Sequence, residues 1–472
     1  MSMPDTSADS SPVSADTIFA LASAPGRAGI AVFRISGPAA AAAVLALCGC
    51  DELPEPRRAI RCRMVDPASG AALDDGLVLW FPGPASFTGE DVAELHIHGG
   101  RATVAAVSAA LSALDCPTAP VRLAEPGEFS KRAFLAGKID LTGAEAVADL
   151  VDAETDAQRR QALAQLDGGL AARLEGWRAD LIDILAHSEA WIDFPDEDLP
   201  ADVEQAARAR ISALAAELRG FLDDNRRGER LRDGLQIVLL GAPNAGKSSL
   251  LNALADRDAA IVSETAGTTR DVIEVHLDLG GWPVTIADTA GLRGAADGAG
   301  EIEREGVRRA LDRAAAADLR LVVFDATVPP DPASLVQLSD GSGAGMTIPV
   351  VNKTDLAAAP DAYAGQAGVP VSARTGDGLA ALLGRIETAT ADLMQAGNVG
   401  ADAPLTRLRH REALGDAVDA LNRAATGAGS AAGSELVAED LRLAARAIGR
   451  VTGRVDVEDL LDVIFMDFCI GK

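Results

Sequence analysis

The sequence predicts a multidomain chain: an N-terminal α+β domain, an α-helical domain split in sequence, and an α/β domain inserted between the helical halves. Three observations predict it. GAPNAGKSS at 241–249 follows the apolar run Leu235–Leu240 and precedes Leu250, Leu251 and Asn252, the strand, loop and helix context of a phosphate-binding loop. Apolar runs then alternate with helical stretches to about residue 393, as a mostly parallel sheet requires. On both sides of this region, from Gly143 and again after Gly397, apolar residues recur at helical spacing.

Composition sets the bounds. A chain of 472 residues is long enough for about three domains, and 48% hydrophobic with 24% charged residues is ordinary for globular proteins. Aromatics are only 3%, so the cores must be built from Ala, Leu, Val and Ile. A net charge of −27 excludes binding nucleic acid through a broad basic face, while leaving room for a local basic patch. The five cysteines, at 48, 50, 62, 116 and 469, form no CxxC pair, which points to reduced thiols; Cys48 and Cys50 read as buried small residues. The polar, acidic start lacks the features of a signal peptide, and no stretch reaches 18 apolar residues. The expectation is a cytoplasmic protein with no membrane partner.

In chain order, residues 1–16 read as a disordered tail rich in Ser, Asp and Pro. Residues 17–140 form the α+β domain: short strands at 18–21, 29–35 and 77–81 and Ala-rich helices at 38–48 and 102–114. In AELHIH, Glu94, His96 and His98 share one strand face; on residue type alone this reads as a solvated edge strand. Residues 141–232 and 397–472 make the discontinuous helical domain, and 233–396 the inserted one. Phe194-Pro-Asp-Glu-Asp breaks the helices, its acidic cluster reading as a solvated helix start. The basic run Arg407, Arg409, His410, Arg411 could touch RNA or form another solvated helix start.

The inserted domain carries nucleotide chemistry in order. Gly241 and Gly246 let backbone N–H groups close on phosphates, Lys247 supplies charge and Ser248 a magnesium-binding hydroxyl. Thr268 and Thr269 lie on the next loop, where one can ligate magnesium. Asp288-Thr-Ala-Gly291 ends a strand, placing a carboxylate near the metal and an N–H near the terminal phosphate. Asn352-Lys-Thr-Asp355 selects the base, because Asp355 can accept from the two adjacent donors of guanine, which adenine lacks there. Ser372-Ala-Arg374 offers backbone contact to the guanine oxygen. Together they point to a GTPase using GTP and Mg2+. Where Ras-type GTPases have a water-orienting Gln, this chain has Leu292, so Glu301, Glu303 or Glu305 must be considered for that task.

The blocks GAPNAGKSSLLNALA, AIVSETAGTTRD, DTAGLR, NKTD, SAR and the terminal FCIGK resemble those of the MnmE (TrmE) family of tRNA modification GTPases. APGRAGIAVFRISGP, FPGPASFTGEDVAELHIHGG and EPGEFSKRAFLAGKIDL resemble the opening domain of that family, so the likeness runs from Asp16 to Lys472, except for a longer Gly/Ala-rich loop at 294–300. It implies an N-terminal folate-binding-like domain that also dimerises, and an inserted P-loop GTPase domain whose copies meet when GTP and potassium bind.

By the resemblance, GTP contacts fall on Asn244, Ala245, Gly246, Lys247, Ser248 and Ser249; on Ser263, Glu264, Thr265, Ala266, Gly267, Thr268 and Thr269; and on Asp288, Thr289, Ala290 and Gly291. The base would be held by Asn352, Lys353, Thr354, Asp355, Ser372, Ala373 and Arg374. Ser248 and Thr269 would hold magnesium, and Asn244, Ser263, Thr265 and Thr268 potassium. Potassium beside the phosphates can do the charge work of an arginine finger. Glu303 would orient water and Cys469 would serve modification chemistry, a buried structural role for Cys469 being the alternative on residue type. Arg34, Glu94, Lys138 and Lys472 would bind 5-formyltetrahydrofolate or a related folate. The implied partners are a second copy in a homodimer, an FAD-binding MnmG-like protein completing a heterotetramer, and tRNA, modified at the wobble uridine. A GTP-switched binding protein in ribosome assembly or signalling is the rival reading that the nucleotide motifs alone leave open.

Overall fold

A computed structural model describes residues 16–117, 119–193, 201–256, 260–261, 274–288, 317–339, 346–360, 362–395, 404–427, 434–455 and, beyond these, 461, 464–466 and 468–471. The chain forms two compact units. One comprises Met1–Val151, Gln165–Arg178 and Ile448–Lys472, the other Asp152–Ala164 and Ala179–Ala447.

The first unit is built on β1 (Thr17–Leu21), β2 (Ala28–Ser36), α1 (Ala40–Cys48), β3 (Ile60–Val65), β4 (Ala72–Phe81), β5 (Val92–Gly99), α2 (Arg101–Ser112) and β6 (Val121–Leu123). The strands form one six-stranded sheet in the order β3-β4-β5-β2-β1-β6, antiparallel except for the β1–β6 pair. Alternation assigns the faces. Phe33, Ile35, Val78, Trp80, Leu95 and Ile97 enter a core with Val44 and Leu47 of α1 and Val107 and Leu111 of α2. The in-between residues Arg34, Glu94 and His96 lie on the opposite face. β5 is flanked by β4 and β2, so the edge-strand reading of AELHIH is overturned. Sequence reasoning also passed over β3, whose Arg61 and Arg63 are exposed, and the three-residue β6.

Helix α3 (Glu128–Leu135) brings Phe129 under Ile18 and Ala20, and α4 (Leu141–Asp152) packs Leu141 and Ala144 against Leu461, Phe465 and Phe468. The C-terminal segment is therefore part of this unit's core. α5 (Asp156–Leu166) and α6 (Gly169–Asp193) follow, the unit boundary falling within both.

In the second unit, α7 (Ala201–Leu222) and α8 (Arg227–Asp233) lead into β7 (Leu235–Leu240), α9 (Lys247–Ala255), β8 (Ala260–Ile261), β9 (Glu274–Leu279), β10 (Trp282–Asp288), β11 (Leu319–Asp325), α10 (Pro332–Ser339), β12 (Met346–Asn352), β13 (Val369–Pro370) and α11 (Leu379–Gln395). The sheet order is β13-β12-β11-β7-β10-β9-β8; the first five strands run parallel, and the β10–β9 and β9–β8 pairs are antiparallel. This is the mostly parallel sheet the sequence predicts, with the motifs at strand C-terminal ends, where open α/β sheets bind ligands. β13 is only two residues long; Ser372–Arg374 lie in the loop beyond it.

Two further helices, α12 (Leu408–Gly427) and α13 (Ser434–Thr452), complete the description. α12 packs along α7, where Arg219 Nη2 donates to Asn422 Oδ1 at 3.2 Å. Two members of the basic run at its start are used inside the fold. His410 is fully buried, and Arg411 is spent on Glu229 at 2.7 Å, Asp224 at 2.5 Å and the Leu222 carbonyl at 2.6 Å. Among the described residues no helix is long and apolar enough to cross a membrane.

Candidate functional site

The phosphate loop begins where β7 ends. Gly241 has φ 135° and Gly246 φ 87°, and a Cβ would strike the Val323 carbonyl from the first and the Asn352 side-chain amide from the second. Only glycine lets strand and loop close this tightly. Helix α9 starts at Lys247, so its positive end and the loop N–H groups face one space, a ready anion cradle.

Lys247 is buried and donates to the Gly241 and Ala242 carbonyls at 3.0 and 2.9 Å. Ser248 donates to Asp288 Oδ2 at 2.5 Å. A hydroxyl and a carboxylate converging on one point are hard oxygen donors, and they fit a magnesium ion. Ser249 is exposed on the first turn of α9.

The NKTD element is tied directly to this loop. Asn352, 2% exposed, donates from Nδ2 to the Ala245 carbonyl at 3.0 Å and accepts from the Ala373 N–H at 3.0 Å. A guanine oxygen reaching that N–H would share its proton with Asn352. Lys353 donates to the Asn244 carbonyl at 2.9 Å and to Asp325 Oδ2 at 2.6 Å. Thr354 gives its N–H and hydroxyl to the Val371 carbonyl at 3.2 and 2.8 Å. Ser372 Oγ donates to Asp355 Oδ1 at 2.8 Å, which orients an otherwise exposed carboxylate; Arg374 is exposed. The fold thus gathers residues 244–249, 288, 352–355 and 372–374 at one sheet edge. Ser263, Glu264, Thr265, Ala266, Gly267, Thr268, Thr269, Thr289, Ala290, Gly291, Leu292, Glu301, Glu303, Glu305 and the acidic cluster after Phe194 lie outside the described residues.

A second cluster lies on the open face of the first unit's sheet. Arg34 and Glu94 are register partners on β2 and β5, and Arg34 Nε and Nη2 reach Glu94 Oε1 at 3.2 and 3.0 Å. The Arg34 guanidinium lies 5.9 Å from the Phe87 ring centre and 5.8 Å from that of Phe129, close enough for cation–π attraction. His96 Nε2 is 3.4 Å from Glu94 Oε2, whereas His98 turns to Asp74 at 2.8 Å. Lys138 is exposed beside Gly89.

The C-terminal segment reaches this cluster. Arg34 Nη1 donates to the Gly471 carbonyl at 3.5 Å, the Gly127 N–H to the Cys469 carbonyl at 3.5 Å, and Ile470 bridges Pro126. Gly471 has φ 98° and a Cβ there would lie 2.6 Å from the Leu21 carbonyl. Cys469 is exposed, which overturns its buried structural reading; Lys472 lies outside the described residues. All five thiols are free, and Cys48 and Cys50 are half-buried, not buried as expected.

Behind the cluster stands a network that sequence reasoning missed. Arg132, 6% exposed, meets Glu90, Glu128 and Asp16 at 3.1, 3.0 and 2.8 Å, and Arg122 meets Glu128 at 2.6 Å. Burial pushes the Glu128 carboxyl up, but bonds from Arg122, the Glu125 N–H and Arg132 outweigh it and hold the group below its ordinary 4.5. Phe87, Phe129 and Asp325 were missed as well. For Asp325 a signal existed, since it ends an apolar strand in the same sheet as NKTD.

Comparison with known proteins identifies the family. Residues 17–138 match the family description "GTP-binding protein TrmE N-terminus", and residues 141–469 match "MnmE helical domain". A tRNA modification GTPase MnmE of Paramagnetospirillum magneticum is 59% identical over 462 residues, covering 97% of this chain and 100% of the relative. One from Rhodospirillum rubrum is 58% identical over 474 residues, covering 97% and 99%. Among solved structures, the G domain of the T. maritima FeoB iron transporter matches 33% of this chain and 98% of its own at 26% identity and TM-score 0.26. The chain belongs to the MnmE (TrmE) family of tRNA modification GTPases.

Proposed function

We propose that this GTP hydrolase is potassium-dependent and acts with an FAD-binding MnmG-like partner on tRNA. The product is a 5-carboxymethylaminomethyl- or aminomethyl-type group at the wobble uridine, position 34, with a tetrahydrofolate one-carbon donor. The chain works as a homodimer, and two copies with two partners make a heterotetramer. The −27 net charge suits a division of labour in which the partner supplies most of the tRNA surface.

In the nucleotide half, Lys247 and the loop N–H groups bind the phosphates, and Asp355, oriented by Ser372, accepts from the guanine edge. Ser248 and Thr269 hold magnesium, which neutralises charge on the phosphate oxygens when bound. Asn244, Ser263, Thr265 and Thr268 hold potassium, the remaining loop residues 245, 246, 249, 264, 266 and 267 and 288–291 line the phosphates, and Glu303 orients the attacking water. In the folate half, Glu94 accepts from the amino edge of a pterin, Arg34 fixes that carboxylate, and Lys138 and Lys472 meet the acidic tail. Cys469 serves modification, not hydrolysis.

One observation carries the modification reading: the segment bearing the exposed Cys469 docks on the unit whose sheet face presents Arg34 and Glu94, with Gly471 on Arg34 itself. The test is nucleoside analysis of tRNA from a deletion strain. Loss of the 5-substituted wobble uridine is expected, and unaltered wobble uridines would leave the switch reading in its place.

A further inference from the structure

Two successive phosphate-loop carbonyls, those of Asn244 and Ala245, are held by two successive side chains leaving β12, Lys353 and Asn352. The bonds differ in how they are aimed. Asn352 is fixed by burial and by its second bond, to Ala373. Lys353 is a long, flexible ammonium on a residue with left-handed φ of 64°, and its side chain remains 32% exposed. Left alone, such a chain loses rotamer freedom to make one bond.

Asp325 removes that freedom. It ends β11, register-paired with Asn352, and takes the Lys353 ammonium at 2.6 Å. Its Oδ1 accepts the Thr327 N–H at 2.9 Å and the Thr327 hydroxyl at 2.6 Å, so the carboxylate cannot turn away. Behind it, Phe324 stacks on Tyr363 with ring centres 4.2 Å apart, both nearly fully buried, which pins the strand end. The Asn244 residue whose carbonyl Lys353 grips has φ 64°, a conformation that costs a non-glycine residue energy and persists where neighbours hold it.

We propose that Asp325 is a positioning residue for nucleotide binding: it locks Lys353 onto the Asn244 carbonyl and so holds the phosphate loop open in register with the base-recognition strand. It touches no nucleotide. The inference rests on the placement of guanine nucleotide between Lys247 and Asp355, and the experiment separates the two.

In the full-length protein, release of N-methylanthraniloyl-GDP and steady-state GTP hydrolysis are measured for Asp325→Asn, Lys353→Met and the double variant. Asp325→Asn should speed release and raise KM by roughly tenfold, with kcat within about twofold, the size of coupling expected for one contacting charged pair. The double variant should behave as Lys353→Met alone. Wild-type release in Asp325→Asn, or additive effects in the double variant, would overturn the relay while leaving the nucleotide placement intact. Wild-type GDP binding in Lys353→Met would likewise overturn the relay, whereas wild-type GDP binding in Asp355→Ala would overturn the placement itself. Should Asp325→Asn fail to fold by circular dichroism, Thr327→Val replaces it: a rise in release of about twofold supports the proposal and an unchanged rate overturns it.

Discussion

The two candidate sites are made in opposite ways. The nucleotide site hangs on loops at the ends of parallel strands, and the phosphate loop is tied by side chains gripping its backbone carbonyls: Lys247 to 241 and 242, Lys353 to 244, Asn352 to 245, beside side-chain pairs such as Ser248 with Asp288 and Ser372 with Asp355. The Arg34 and Glu94 site lies flat on an antiparallel sheet, tied side chain to side chain across a register pair. Loop sites fix the backbone and let the ligand complete the geometry; a sheet face fixes the side chains before any ligand arrives. The difference is one of support: the loop residues depend on ties to distant backbone, whereas Arg34 and Glu94 are placed by the pairing of their own strands.

The comparison is broken most strongly at the base. Asp355→Asn replaces an acceptor with a donor toward guanine, so the preference for GTP over XTP should shift by about four orders of magnitude. Competition binding of the two nucleotides reads this directly; an unchanged preference would show that Asp355 does not read the base. Folate binding should be untouched.

At the sheet face, Glu94→Gln should weaken tetrahydrofolate binding by roughly tenfold, the cost of one charge-assisted bond, with GTP hydrolysis at its wild-type rate. Calorimetry with wild-type affinity for the variant would make the Arg34 and Glu94 pair purely structural. The smallest effect is on stability. Glu128 has a folded-state pKa below its ordinary value, so its contribution is complete above pH 4.5 and is lost as pH falls through the lowered value. The unfolding midpoint should hold from neutrality to about pH 5 and then drop, with Glu128→Gln flattening that fall by roughly 2–4 °C.

What could be read from the sequence follows the same division. Loop sites advertise themselves because each needs particular residues at fixed short spacing, so GAPNAGKSS, DTAG, NKTD and SAR were legible in order. Their ties were not. Lys353 and Asn244 are far apart in the chain, and only the parallel pairing of β7, β11 and β12 brings them together. On the sheet face, alternation put Glu94 and His96 on one side, but the order of strands is not written in any single strand, so an interior β5 read as an edge. β3 carried a signal that was passed over, since Ile60, Cys62 and Met64 alternate with the exposed Arg61 and Arg63. Cys469 could be noticed by residue type and not judged, since its exposure depends on the fit of Gly127 and Gly471 against distant backbone.

In the proposed mechanism the phosphate loop, through Asn244, uses potassium in place of an arginine finger. The direct measurement is the initial rate of GTP hydrolysis by the full-length protein with magnesium, in potassium and in sodium chloride at matched ionic strength. The rate should be at least about tenfold higher in potassium, as expected when a charge stabilises the transition state. Equal rates in the two salts would contradict it and leave Asn244 as a loop residue whose task is to present its carbonyl to Lys353.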